Sequence, residues 1–163
     1  MMRIAITPHD ILSDEPERII SLLNEGWTYV HLRHPDASTR DIKNIIEAIP
    51  QKLHSKLRLH GHFELIHSFN IGGLHLNHRC PIPPPGFTEK LSRSCHTPAE
   101  LCNQRNMEYV TFSPVFPSIS KHGYTPAYTL EQIAAAISRA SVPVVALGGV
   151  TPDKATLLQQ IGF

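Results

Sequence analysis

Y-V-T-F-S-P-V-F-P-S-I-S-K, residues Tyr109–Lys121, joins a β-branched and aromatic run ending at Ser113 to a proline-punctuated loop that carries Ser118, Ser120 and Lys121. The run has the composition of a strand, and the prolines keep the residues after it from continuing as regular structure. Two hydroxyls and a cation on a loop after a strand are the chemistry of an anion seat. Further along, the apolar run Val142–Leu147 stops at Gly148-Gly149, where missing side chains let backbone N–H groups approach a ligand, and Thr151-Pro152 opens a helix. Two consecutive strand ends are therefore suited to phosphate.

The same alternation of strand and helix extends to both sides. Arg3–Thr7, Tyr29–Arg33, Leu57–His60, Gly73–Leu76 and Leu91–Cys95 read as five further strands. Between them, Glu15–Glu25 places Ile19, Ile20, Leu22 and Leu23 at helical spacing with Gly26 as its stop. Ser38 or Thr39 caps a helix with Ile42, Ile45, Ile46 and Ile49 on one face, and Phe63–Phe69 predicts a short helix. Thr97-Pro98-Ala99-Glu100 is a capping box with proline at the first helical position; Thr129–Gln132 repeats that logic, and a last helix runs from Thr151 to Gln160. Seven such units predict a parallel sheet with right-handed crossovers, either an open doubly wound sheet or a closed barrel. The barrel is favoured, because no Gly-rich turn follows the first strand and polar residues recur at strand C-terminal ends. The expectation is an α/β fold, a (β/α)8 TIM-type barrel forming one domain over residues 1–163, with its eighth strand and helix missing after Phe163.

Composition agrees with that reading. At 163 residues the chain buries a substantial core yet is short for a complete barrel, which takes roughly 200 or more. The formal net charge is +1 and no basic block or acidic tail occurs, so neither nucleic acid nor a membrane surface is expected as partner. Met1-Met2-Arg3 leads straight into a strand without a signal peptide, which predicts a cytoplasmic protein. Cys80, Cys95 and Cys102 are odd in number and lack C-x-x-C spacing, arguing for reduced thiols over disulfides or structural zinc. Pro81–Gly86 reads as a loop in place of a crossover helix.

S-P-V-F-P-S-x-S-K (Ser113–Lys121) followed by P-V-V-A-L-G-G-V-T (Pro143–Thr151) resembles the G-P-V-F-P-T-x-T-K and P-V-V-A-I-G-G-I signature of thiamine phosphate synthase and its sister, the thiazole tautomerase. The likeness recurs in H-L-R (His31–Arg33), G-L-H-L (Gly73–Leu76) and S-x-H-T (Ser94–Thr97). It implies an enzyme of thiamin biosynthesis, a transferase that joins an aminopyrimidine methyl diphosphate to a thiazole phosphate and releases pyrophosphate, with magnesium as cofactor. On this carry-over Arg33 holds pyrophosphate, Ser118, Ser120 and Lys121 bracket phosphate groups, His60 takes the place of a pyrimidine-contacting asparagine, and Gly148-Gly149 approach the thiazole phosphate. The chain also departs from the pattern. Q-L-R-x-K becomes H-L-R-H-P, with His31 for glutamine and Pro35 for lysine, and the two magnesium-holding aspartates are replaced by Gly61 and Cys80. The tautomerase histidine at the sixth strand end is replaced by Pro114.

Alternation along the strands predicts that His31, Arg33, His60, His75, Asn77, Ser94, His96 and Ser113 line one mouth, with His78 beside them. Arg33, Lys121 and His96 are the catalytic candidates, His96 as acid/base; His31, His60, Asn77, His78, Ser113, Ser118, Ser120, Gly148 and Gly149 are the binding candidates. The bland reading of Arg33 is an ion pair with a loop carboxylate. Among eleven histidines, His31, His60, His75 and His96 offer a nitrogen-rich cluster, but hydrogen-bonded or ligand-contacting histidines are the commoner case and no metal ligand is assigned. Cys95, on the face opposite its neighbour His96, reads as wall packing. The partners expected are small phosphorylated molecules, with a second copy of the chain as one way to cover an open seam. The alternatives are a thiazole phosphate isomerase that dispenses with magnesium and a catalytically silent binder of thiamin phosphate.

Overall fold

Each strand forms where β-branched and leucine-rich residues alternate with residues that a second face can accept, and the helices that start at Thr39, Pro98 and Leu130 each begin at a capping box that the sequence spells out. A computed structural model of the chain describes residues 1–87, 90–117, 123 and 125–163. The anion seat of Ser118, Ser120 and Lys121 lies outside these described residues. The chain divides into two compact units, Met1–Lys90 and Leu91–Phe163.

The first unit runs β1 (Ile4–Ile6), α1 (Glu15–Asn24), β2 (Tyr29–Leu32), α2 (Thr39–Ala48), a 3-10 segment (Gln51–Lys56), β3 (Leu57–Leu59), a second 3-10 segment (Phe63–His67) and β4 (Gly73–Leu76). Its strands are parallel and neighbour one another in sequence order, with His31 opposite Arg58 and Arg58 opposite Gly73. Successive strand side chains point to opposite faces. Val30, Leu32, Leu57, Leu59, Leu74 and Leu76 thus form an apolar face, and α1 and α2 add the buried Ile19, Leu23, Ile42, Ile45 and Ile46. The face that remains carries His31, Arg58 and His75, all buried as well.

The second unit holds β5 (Leu91–Cys95), α3 (Pro98–Cys102), β6 (Tyr109–Phe112), α4 (Leu130–Ile137), β7 (Val144–Ala146), a 3-10 turn (Pro152–Lys154) and α5 (Ala155–Gln160). Its strands are parallel and in sequence order too. Cys95, Leu101, Val110, Phe112, Val115, Ile133, Ala136, Val144 and Leu158 make its core. The capping boxes expected at Thr97 and Thr129 both form, with Glu100 and Gln132 reaching back, and Ser38 rather than Thr39 caps α2.

Boundaries differ from the sequence reading in three ways. β1, β2, β3, β6 and β7 each stop one residue short of the expected end: the N–H of Arg33 leaves the ladder for Thr7 Oγ1 at 2.9 Å, while those of Thr7, His60, Ser113 and Leu147 make one last bond to a neighbouring strand's carbonyl. Phe63–His67 is a 3-10 segment, entered from a left-handed His62 (φ 52°) that supplies no side-chain cap. The last helix likewise opens with a 3-10 turn. Among the described residues no helix is long and apolar enough to cross a membrane.

Candidate functional site

In the first unit the C-terminal ends of three adjacent strands bring His31, His60 and His75 together. His31 Nδ1 and His60 Nε2 are 2.8 Å apart in a hydrogen bond, the rings of His60 and His75 stack at 4.2 Å, and His31 and His75 lie 4.8 Å apart. Burial above all, then the charge each neighbouring ring would carry, with Arg58 beside His31 and Arg33 beside His60, holds both pKa values well below the usual imidazole range. The rings are therefore neutral at physiological pH. Arg58, 1% exposed, lies with its guanidinium 3.7 Å above the Tyr29 ring, a desolvated cation–π contact.

Around this cluster the expected residues separate by role. Arg33 is half-buried and makes no ion pair among the described residues, so the carboxylate partner of the bland reading is not found there. Asn77 is engaged entirely within the chain. Its Nδ2 donates to the carbonyls of His60 (2.8 Å) and His75 (3.2 Å), while its Oδ1 accepts from the N–H groups of Arg79 (3.0 Å) and Cys80 (3.1 Å). An amide has two donor hydrogens and two acceptor sites, so Asn77 positions the strand ends instead of offering a free hydrogen bond. His78 is exposed.

In the second unit, His96 Nδ1 lies 2.8 Å from the Ser113 carbonyl and 3.3 Å from Ser113 Oγ. A ring nitrogen facing a carbonyl is the N–H one, which makes neutral His96 the Nδ1–H tautomer. Gly148 and Gly149 adopt left-handed conformations (φ 90° and 61°). Their missing side chains are demanded by the chain itself: a Cβ on Gly148 would sit 2.9 Å from Pro114, and one on Gly149 would overlap the Pro117 carbonyl oxygen. The loop is docked there through Val115 N–H to the Leu147 carbonyl and Phe116 N–H to the Gly148 carbonyl. Cys95 is fully buried and its thiol is pushed up to about 12, by burial first and Glu100 second. Under native conditions a thiol reagent is expected to label Cys80 and Cys102 and to reach Cys95 only after unfolding; mass spectrometry of the native adduct showing Cys95 modified would contradict this packing.

The model for the family described as thiamine monophosphate synthase matches residues 4–163. The chain belongs to this family. A thiamine-phosphate synthase of Saccharophagus degradans is 26% identical over 156 residues, 89% of this chain and 71% of that one. A crystal structure of thiamine phosphate pyrophosphorylase from Bacteroides thetaiotaomicron superposes with a TM-score of 0.88 at 31% identity, over all of this chain and 80% of that one. A thiamine phosphate pyrophosphorylase from Pyrococcus furiosus, at 20% identity, shares the fold with a TM-score of 0.78 over 99% of this chain and 81% of its own.

For a thiamine monophosphate synthase family member, several contacts carry no sequence motif. Glu15 and His34, both buried, pair at 2.6 Å across 19 positions. Arg79 Nη1 reaches the Pro35 carbonyl at 3.3 Å and Asp36 at 3.5 Å, setting a cation beside the place where the resemblance expects lysine. Lys154 Nζ donates to the Gly149 carbonyl at 2.6 Å and lies 4.4 Å from the centre of the Phe116 ring, fixing the twin-glycine turn. Other histidines serve structure: His54 Nε2 donates to the Ile46 and Ile49 carbonyls at the end of α2, and His62 bonds Thr39 at 2.9 Å. A cleft of about 540 Å³ beside α2, lined by residues such as Glu47, Gln51 and Phe69, contains none of the candidate catalytic or binding residues.

Proposed function

We propose that this chain is a thiamine-phosphate synthase, joining an aminopyrimidine methyl diphosphate to a thiazole phosphate. The bond from the pyrimidine methylene to diphosphate breaks, its electron pair leaves with pyrophosphate, and the thiazole captures the pyrimidine-methyl cation. Arg33 carries the reading: a half-buried guanidinium at a strand end, free of ion pairs among the described residues, matches the charge of departing pyrophosphate. His60 and His31, kept neutral by burial, place no positive charge beside the developing cation. Ser118, Ser120 and Lys121 would supply the second anion seat, Gly148-Gly149 and Ser113 would lie by the thiazole phosphate, and His96 would hold or move a proton at Nε2. The single-domain eight-unit barrel belongs to the same proposal, supported by parallel strands in sequence order within each unit and by the chain-long likeness to family structures.

Magnesium does not fit the donor set. It takes oxygen ligands, usually including a carboxylate. The two positions where the resemblance expects aspartates lie close together, since a Cβ on Gly61 would meet Cys80 Sγ at 3.8 Å, yet they offer no carboxylate. No step is therefore routed through that ion. The same observation favours a second reading, an isomerase of the thiazole phosphate with His96 as acid/base. An assay for thiamin phosphate at saturating substrates separates the two. Turnover is expected, with Arg33→Ala lowering kcat/KM about 100-fold, as for loss of a charge-assisted contact of ~2–3 kcal/mol. No thiamin phosphate, together with isomer interconversion in an NMR assay, would reject the synthase reading.

A further inference from the structure

We propose that His31, His60 and His75 form a three-nitrogen site for a divalent transition metal of the zinc class, with a coordination position left for an anionic oxygen. One ring nitrogen from each lies within 4.8 Å of the others, the only group of three or more such ligands among the described residues. Zinc–nitrogen bonds of ~2.0–2.1 Å in a tetrahedron set nitrogens roughly 3.4 Å apart. The distance between His31 Nδ1 and His60 Nε2 is already 2.8 Å, so ring rotations on the order of an ångström complete the geometry.

The scaffold is fixed in advance. The three ligands come from neighbouring paired strands or their ends, and Asn77 clamps the carbonyls of two of them. Neutral imidazole is the ligand form, and the proton shared between His31 and His60 can reside on a remote ring nitrogen, so binding does not require the rings to lose charge. An all-nitrogen set selects zinc, cobalt or nickel over magnesium. Arg58 and Arg33 oppose a bare dication here, which is why the remaining ligand is assigned to an anion such as pyrophosphate. The inference concerns binding alone: a dication on these rings would place positive charge beside the developing cation, so the metal-loaded chain is a state distinct from the one that performs the reaction proposed above.

The test uses the full chain stripped with a chelator and titrated with Co2+, with and without inorganic pyrophosphate, and then with Zn2+. One equivalent of Co2+ is expected to give the visible bands of a low-coordinate nitrogen site, tightened by pyrophosphate, displaced by zinc and untouched by excess magnesium. His60→Gln, at a half-buried position, and His75→Asn are each expected to weaken binding more than tenfold, and exposed His67→Asn to leave it unchanged; circular dichroism identifies any variant that fails to fold. Absence of stoichiometric bands in both titrations, or bands that persist in folded His60→Gln, would overturn the assignment.

Discussion

Gly149→Ala is expected to destabilise the second unit by about 2–5 kcal/mol, the sum of a left-handed residue acquiring a Cβ and a forced displacement in a packed region. The added methyl would overlap the Pro117 carbonyl oxygen and lie 2.8 Å from Phe116 Cβ, so relief requires the backbone of the loop to move, not merely a flexible side-chain tip. Gly86 supplies the control. It has φ 79° but nothing within 4 Å of its Cβ direction, so Gly86→Ala isolates the conformational part, about 1–2 kcal/mol. Urea unfolding of both variants decides the matter. Equal costs would mean that Gly149 is needed only for its backbone angle, and that the close approach of the loop does not contribute.

That contrast also shows where the sequence could be read and where it could not. Twin glycines after an apolar strand suggest room for a ligand's phosphate, whereas the structure fills their Cβ directions with the loop after β6. Side-chain absence reports that something approaches, and only tertiary structure reveals what. Alternation, by contrast, is a local rule. The rings of His31, His60 and His75, from three neighbouring strands, meet as that rule expects, because side chains two apart on a strand share a face. The capping boxes at Thr97 and Thr129 were legible for the same reason, each joining residues three apart. Asn77's engagement with four backbone groups was not, nor was the reach of Arg79 to the β2 loop over 44 positions, since neither leaves a periodic trace.

The buried Glu15–His34 pair gives stability a pH dependence of predictable sign. Burial works against a charged His34, but it is outweighed by the hydrogen bond and charge of Glu15 and by the His9 carbonyl at 3.3 Å from Nδ1, with Arg33 opposing, so its pKa is raised above 6.5. Both ring nitrogens of the imidazolium thus face acceptors. A group with a raised folded pKa contributes fully below its unfolded value and loses that contribution as pH climbs through the folded one. The pair therefore stabilises the fold at pH 6 and progressively less above it. His31 and His60 act in the opposite sense, their depressed pKa values costing stability as pH falls below about 6.5. Subtracting the Glu15→Gln profile from the wild-type one cancels them, because that variant keeps a hydrogen-bond acceptor and removes only the charge. The difference in unfolding free energy is expected to be largest near pH 6 and to decline toward pH 9. Glu15→Ala, which also removes the acceptor, is expected to cost about 3 kcal/mol at pH 6, at the low end for a broken buried pair because the stranded ring can shed its proton. A difference profile that is flat, or that grows with pH, would show that His34 is not held in its charged form by Glu15.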